Sequence, residues 1–442
     1  MPDLKKYRIV LPEKPTYNER RAADFITSCV KIVVGYKMPT VSDASEPCEY
    51  EICIGRTSRE ALDGLAFERC EAKTYEGLLF GKGNRIYMTG LGINTEKTDK
   101  PFKSYEYIND GQYGALYAAY RFVEDTVGYN FLYAVNESYP EKDTIEVDTS
   151  VSVTLTREYI ENELPKKTSG DVLYSIPSGI LKRNGEITVI RSKKGGLCVI
   201  GGGRDTDAEH LISVLEYLSD GKKPTVSAWL LSCIGENSAG ALARIMTDAK
   251  LSSRINIEKI YGKPMSREFY TSYASDRSAD VVKIFDALSH KITDINTGDI
   301  ISLDKIKIKT MATPDTACID KMTVGESSVI YRIESENKKV LIMGESGAKG
   351  SAAVLSAATD PKCDVLMLVN YGGRGIPGAF FKAASAKECV FSVCIRDLYG
   401  EYGEGLYTRN SEIIRTRDLL IRNGTVPSKQ YRNTFGCVTV TL

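Results

Sequence analysis

Apolar positions in the first third of the chain repeat with two periods. Residues 7–11 alternate as a strand, and residues 18–34 place Ala22, Phe25, Ile26, Cys29 and Val33 on one helical face. Residues 50–55 read as a second strand. Residues 75–80 and 85–89 flank Gly81-Lys82-Gly83-Asn84, a hairpin signal. Leu116, Tyr120, Val123 and Val127 set a helix over 112–127, and 144–147 reads as a last strand. The order β-α-β-β-β-α-β predicts a small α+β layer.

A charged stretch, 157–167, carries Glu158, Glu161, Glu163, Lys166 and Lys167, and Pro165 with Thr168-Ser169-Gly170 marks a boundary nearby. We therefore expect a first domain over 1–156, a linker over 157–173 and a second domain over 174–442. The second domain begins with strands at 180–183 and 186–191 about the turn Asn184-Gly185. A strand at 197–200 leads through Gly201-Gly202-Gly203 into a helix at 207–218. Then come a strand at 226–231, a loop at 232–240 and a helix at 241–249. A strand at 255–261 and a helix at 277–290 follow. Strands are expected at 299–303, 306–311, 328–333 and 339–343. A helix at 350–358, a strand at 365–369, a helix at 378–386 and a strand at 389–394 complete the pattern. This order predicts an αββα sandwich, two mixed sheets between helical layers. No internal repeat of fixed period is present.

The bulk numbers narrow the function classes. The chain has 442 residues, 42% hydrophobic and 26% charged, ordinary for a globular protein with a sizeable core. Lys+Arg and Asp+Glu both number 58, so no bulk field draws nucleic acid or an anionic membrane, and neither is expected as a partner. No apolar run reaches the length of a transmembrane helix. The N-terminus lacks the apolar core of a secretory signal, so the protein is expected in the cytoplasm, or secreted if a signal has been trimmed. Eleven cysteines sit singly, with no C-x-x-C pair, and read as reduced, buried thiols. There are only two histidines. His210 lies in a helical stripe with Leu211, Val214, Leu215 and Leu218, and His290 ends another helical segment, so both read as structural.

The second domain resembles metallo-β-lactamase-fold proteins, closest to the branch found in DNA-uptake competence proteins and related small hydrolases. The glycine turn 201–203 and its flanking strand and helix match the family's opening. After strand 226–231 the family carries Thr-His-x-His-x-Asp-His-x-Gly-Gly/Ala-Leu. Here the chain reads Ser232-Cys233-Ile234-Gly235-Glu236-Asn237-Ser238-Ala239-Gly240-Ala241-Leu242. The frame is kept and every ligand position has changed: Cys233 and Gly235 replace two histidines, and Asn237-Ser238 replaces Asp-His. The family's His-Pro is Thr313-Pro314, its Gly-Asp strand end is Gly344-Glu345, and its His-His-Gly is Asn370-Tyr371-Gly372. The family's hydrolysis needs a metal-bound water, and a catalytic zinc takes three protein ligands. Cys233 and Glu345 are the two good donors left, so the resemblance implies a fold without its metal, with no cofactor expected. The old cleft would persist as a pocket lined by Cys233, Gly235, Glu236, Asn237, Ser238, Glu345, Asn370 and Tyr371.

The first domain resembles the non-catalytic N-terminal domain of α-glucuronidases and β-hexosaminidases. The matching residues are Tyr50-Glu51-Ile52-Cys53-Ile54-Gly55-Arg56-Thr57, Tyr75-Glu76-Gly77, the strand from Arg85 to Gly90, and Gly114-Ala115-Leu116-Tyr117-Ala118-Ala119-Tyr120 running on to Asp125, then Pro140-Glu141-Lys142-Asp143-Thr144-Ile145. In that family a catalytic barrel follows; here the remainder reads as the other fold. The resemblance therefore implies a carbohydrate-related context without glycosidase chemistry.

Three further patterns merit weighing. Gly344-Glu345-Ser346-Gly347-Ala348-Lys349-Gly350-Ser351 follows a strand and opens a helix, but Lys349 precedes Gly350, so the phosphate-loop order fails and a turn is expected. Cys233 lacks a nearby histidine base and reads as a small loop residue; Glu236 and Glu345 read as solvated or capping carboxylates unless they pair for acid–base work. The tyrosines of the first domain (Tyr105, Tyr107, Tyr113, Tyr117, Tyr120, Tyr129, Tyr133) read as core-edge residues, and the glycine–tyrosine run 399–407 as a loop. The reading is a two-domain pseudoenzyme, binding or structural, whose partner is an unknown small molecule, glycan or protein. The alternatives are a hydrolase of an ester or phosphodiester with a rebuilt site, and a glycan-binding module.

Overall fold

A computed structural model describes residues 1–68, 77–91, 113–128, 142–155, 164–178, 184–272, 279–314, 322–357, 359–369, 375–393, 411–426, 429–433 and 436–442. The chain divides into two compact units, 1–159 with 402–406, and 160–401 with 407–442.

The first unit is built on β1 (Arg8–Leu11), α1 (Tyr17–Val34), β2 (Thr40–Ser42), β3 (Glu51–Ile54), β4 (Gly77–Lys82), β5 (Arg85–Gly90), α2 (Tyr113–Phe122) and β6 (Ser152–Leu155). The strand order is β2-β1-β3-β5-β4-β6. β2, β1, β3 and β5 run parallel, and β4 is antiparallel to both β5 and β6. The expected α+β layer is thus a mixed α/β sheet. α1 starts as the residues dictate: the Thr16 hydroxyl accepts from the Glu19 amide and Glu19 reaches back to the Thr16 amide, a capping box. Its expected face, Ala22, Phe25, Ile26, Cys29 and Val33, is buried. α2 continues as a π-helical turn over Val123–Val127. Tyr117 and Tyr120 are fully buried rather than at the core edge; Tyr105, Tyr107, Tyr129 and Tyr133 lie outside the described residues. The expected strand at 144–147 makes only a bridge from Glu146 to Asp3, and β6 takes the sheet edge. Ile145 and Val147 are buried all the same, which is why their pattern reads as a strand.

The second unit holds β7 (Val172–Ser175), β8 (Ile187–Arg191), β9 (Leu197–Gly201), α3 (Ala208–Leu218), β10 (Thr225–Leu230), α4 (Glu236–Thr247), β11 (Asn256–Ile257), β12 (Ile260–Gly262), α5 (Ala279–Leu288) and β13 (Ile292–Asp294). Then follow β14 (Ile300–Leu303), β15 (Ile306–Ala312), β16 (Ile330–Glu334), β17 (Lys339–Ile342), α6 (Ala348–Ser356), β18 (Val365–Val369), α7 (Gly378–Ala384), β19 (Glu388–Ser392), α8 (Ser411–Arg422), β20 (Gln430–Arg432) and β21 (Val438–Thr441). One sheet runs β13-β12-β10-β9-β8-β7-β21 with β11 beside β10; the other runs β14-β15-β16-β17-β18-β19-β20.

Strand alternation builds the layers. In β9, Cys198 and Ile200 face a core shared with Tyr331, Ile333, Val340 and Ile342 of the other sheet. Leu197 and Val199 face the opposite way, against Leu211, Leu215, Leu242 and Ile245 of α3 and α4. α6, α7 and α8 bury Val354, Phe380, Phe381 and Leu420. The unit is an αββα sandwich.

β8 pairs with β7 on one side and β9 on the other; the strand expected at 180–183 lies outside the described residues. One expectation needs correction. The helix expected at 241–249 begins at Glu236, capped by Gly235. Asn237, Ser238 and Gly240 have weak helix propensity, and tertiary packing overrides it: a Cβ on Gly240 would stand 2.7 Å from the Asp205 amide nitrogen.

Candidate functional site

The loop 231–235 leaves β10, enters α4, and meets the head of β8 and the end of β17. Glu186, just before β8, is the hub. Its carboxylate accepts from the Ser232 hydroxyl at 2.8 Å and from the Ser238 hydroxyl at 3.0 Å, one on each oxygen. Its amide donates to the Asn237 carbonyl at 2.8 Å, and its carbonyl accepts from Gly202 and Gly203 at 2.7 and 3.0 Å. This turn requires glycine: Gly201 has φ +73°, and a Cβ there would fall 2.3 Å from the Glu186 carbonyl oxygen.

The second sheet closes the site. The Ser232 carbonyl accepts from Val329 at 2.7 Å, and the Tyr331 phenol donates to the Leu231 carbonyl at 2.9 Å. Gly344 adopts φ +56°, and a Cβ there would lie 3.0 Å from those of Ser232 and Ser328. That turn delivers Glu345, whose amide donates to the Ser328 hydroxyl at 3.2 Å. A Cβ on Gly235 would stand 3.2 Å from the Cys233 thiol and 3.8 Å from Glu345 Oε1. Cys233 and Glu345 thus lie beside Gly235, and Ser238 meets Glu186. Glu236 and Asn237 are taken up by Arg204, which donates to Glu236 at 2.9 Å and also to Asn237. Asn370 and Tyr371 lie outside the described residues.

Burial dominates the electrostatics. Glu186 is 1% exposed. Burial raises its carboxyl, Ser232 draws it back, Glu345 raises it again and Ser238 draws it back; it is pushed up to about 7. The sequence offered one clue to Glu186, a carboxylate heading an otherwise apolar strand. Its serine partners lie 46 and 52 residues away and carry no such clue.

No family model matches the chain, and no curated protein matches it. Solved structures cover about 60% of the chain and are alike in fold only. The metallo-β-lactamase fold protein YhfI from Bacillus subtilis is 12% identical, with 61% of this chain and all of that one covered and a TM-score of 0.37. The diiron β-hydroxylase CmlA from Streptomyces venezuelae is 12% identical over 62% of this chain and 55% of its own, also at 0.37. A diphosphatase of the PhnP family is 11% identical over 61% of this chain and 97% of its own, at 0.32. With every one of these scores below 0.5, the αββα assignment rests on strand order and packing.

Among the described residues, the side chains gathered around Glu186 do not make the donor set of a zinc centre. Both Glu186 oxygens are spent on hydroxyls, Gly235 has no side chain, and serine is a weak neutral donor. His210 sits in α3 and His290 beyond α5. Among the described residues no three His, Cys, Asp or Glu side chains converge to hold an ion. The glycine-rich stretch after β17 is a turn into α6, and Lys349 is paired with Glu326 at 3.3 Å. A separate cleft of about 500 Å³ is lined by Arg204, Glu236, Gly240, Arg244, Lys283 and Ile284. Its cations are matched within the protein: Arg204 by Glu236, Arg244 by Glu209, Lys283 by Asp280. No helix of the described residues is long and apolar enough to cross a membrane.

Proposed function

We propose that this chain is a metal-independent relative of the metallo-β-lactamase fold, a pseudoenzyme that binds a partner or ligand, joined to a carbohydrate-associated accessory unit. The observation that supports the reading is that Ser238, which stands at a ligand position of the resembled motif, gives its hydroxyl to the buried Glu186 carboxylate, whose other oxygen accepts from Ser232. The ligand class in this reading is a small molecule, glycan or protein. The test is metal content of purified, tag-free protein by mass spectrometry after incubation with zinc, manganese and iron. Stoichiometry near zero is expected. One or two ions per chain would overturn the reading and make hydrolase assays the next step.

A second reading, a hydrolase with a rebuilt site, is favoured by the Glu186 carboxyl at about 7, which trades its proton near neutrality. Glu186→Gln, Glu345→Gln and Cys233→Ser would then each abolish turnover in a panel of esters and phosphodiesters. Wild-type behaviour of all three, or no turnover at all, removes it. The glycan-binding alternative predicts specific retention of the full-length chain on a glycan array.

A further inference from the structure

We propose that the cleft between α4 and α5 is a binding site for an aliphatic ammonium ion, with the cationic head on Asp205 and the hydrocarbon chain over Ala243, Ile284 and Ala287. The site is separate from the Glu186 network and does not depend on the metal-free reading.

Helix periodicity makes the cleft. Gly240, Ala243, Arg244 and Thr247 return to one face of α4 at spacings of three or four residues, and Asp280, Lys283, Ile284 and Ala287 do the same on α5. Ser238 of α4 turns instead to Glu186. The apolar lining is small: Gly240 has no side chain, Ala243 and Ala287 end at a methyl, and Ile284 is buried. The turn 205–207 joins the wall, packed against α4 where Gly240 leaves room for the Asp205 amide. The volume, about 500 Å³, is that of a small-molecule pocket. From Asp280 to Ala287 the α5 lining runs about 10 Å, at about 1.5 Å per residue, long enough for an extended hexyl chain.

The polar groups set the sign of the ligand. The donors are engaged. Each guanidinium nitrogen of Arg204 donates, to the Asn184 carbonyl, Glu236 and Asn237. Arg244 donates to the Asp205 carbonyl and to Glu209, both at 3.2 Å. Lys283 donates to Asp280 at 3.1 Å, and the Thr247 hydroxyl to the Ala243 carbonyl at 2.8 Å. Acceptors are left over. The Asp205 carboxylate accepts from the Thr206 amide at 2.8 Å, and among the described residues no cation pairs with it. The lining cations have Glu236, Glu209 and Asp280 as partners, so Asp205 is a carboxylate in excess. An anion would have to break an ion pair to bind. An ammonium ion brings three donors and no acceptor, which suits the spare carboxylate, and its chain leaves water for the apolar lining.

The experiment is methyl NMR on the full chain labelled at isoleucine Cδ1, at about pH 7, with the Ile284 signal identified by Ile284→Val. The probes are hexylammonium, hexanoate and 1-hexanol, which share the chain and differ in the head. Hexylammonium should shift the Ile284 signal saturably and bind at least about tenfold more tightly than either of the others. Asp205→Asn should weaken hexylammonium about tenfold, to the level of 1-hexanol. Ala287→Leu, which fills the cleft, should abolish the shift. The wild-type comparison of the three probes needs no variant to fold. Hexanoate or 1-hexanol binding as tightly as hexylammonium, no saturable shift with hexylammonium, or wild-type affinity in folded Asp205→Asn or Ala287→Leu overturns the proposal.

Discussion

Glu51 in the first unit and Glu186 in the second are both closed off from water, at 0% and 1% exposure, and their surroundings are opposite. Glu51 accepts from Arg8 at 2.7 Å, Arg59 at 3.0 Å and Arg85 at 2.9 Å, and from the Cys48 amide at 3.2 Å. Burial pulls its carboxyl up, but Arg59, Arg8, the Cys48 amide and Arg85 outweigh that and bring it down to about 2. Glu186 has hydroxyl donors and a neighbouring carboxylate, and it rises to about 7. Burial alone therefore does not decide the charge of a glutamate. Counter-charge does. The first arrangement anchors a sheet across the physiological range, whereas the second holds a carboxyl raised toward neutrality.

The largest expected effect breaks the first half of this comparison. Glu51→Gln leaves three guanidinium groups facing a neutral amide and should cost about 3–5 kcal/mol, read by denaturant unfolding of the full chain. A cost below about 1 kcal/mol would show the cluster to be a solvated surface network instead. The wild type should also lose this contribution as pH falls from about 4.5 through about 2, because the folded pKa is depressed. The variant should show a flatter acid limb.

Glu186→Gln sharpens the second half. It removes a group whose folded pKa is raised, so it should stabilise the second unit by about 1–3 kcal/mol at about pH 8 and leave it unchanged at about pH 4. Destabilisation at the higher pH would mean that the ionised form holds the serines. The smallest effect is the control. Arg244 and Glu209 form an exposed pair at 3.2 Å, and Arg244→Ala should change stability by no more than about 0.5 kcal/mol.

Much of the fold was legible locally. The strand 365–369 is found at the expected bounds, and the stripes of α1 and α3 point inward as their spacing requires. The misreadings share a cause. α4 begins five residues early because Gly235 caps it and Gly240 is demanded by close packing against Asp205, neither of which shows as helical periodicity. β7 and β21 pair with each other across more than half the chain, so nothing near either one announces the partner. Of the candidate site, the sequence pointed to Cys233, Gly235, Ser238 and Glu345 because ordered landmarks mark those positions. Glu186 was missed because its role is defined entirely by distant contacts.

The sequence by itself determined the apolar periods of most strands and helices and the glycines its turns depend on. These are properties of single positions or of neighbours within a few residues. The tertiary structure decided which carboxylate receives guanidinium groups and which receives hydroxyls. Ionisation depends on burial and on charges a few ångströms away, and those neighbours come from segments that only folding brings together.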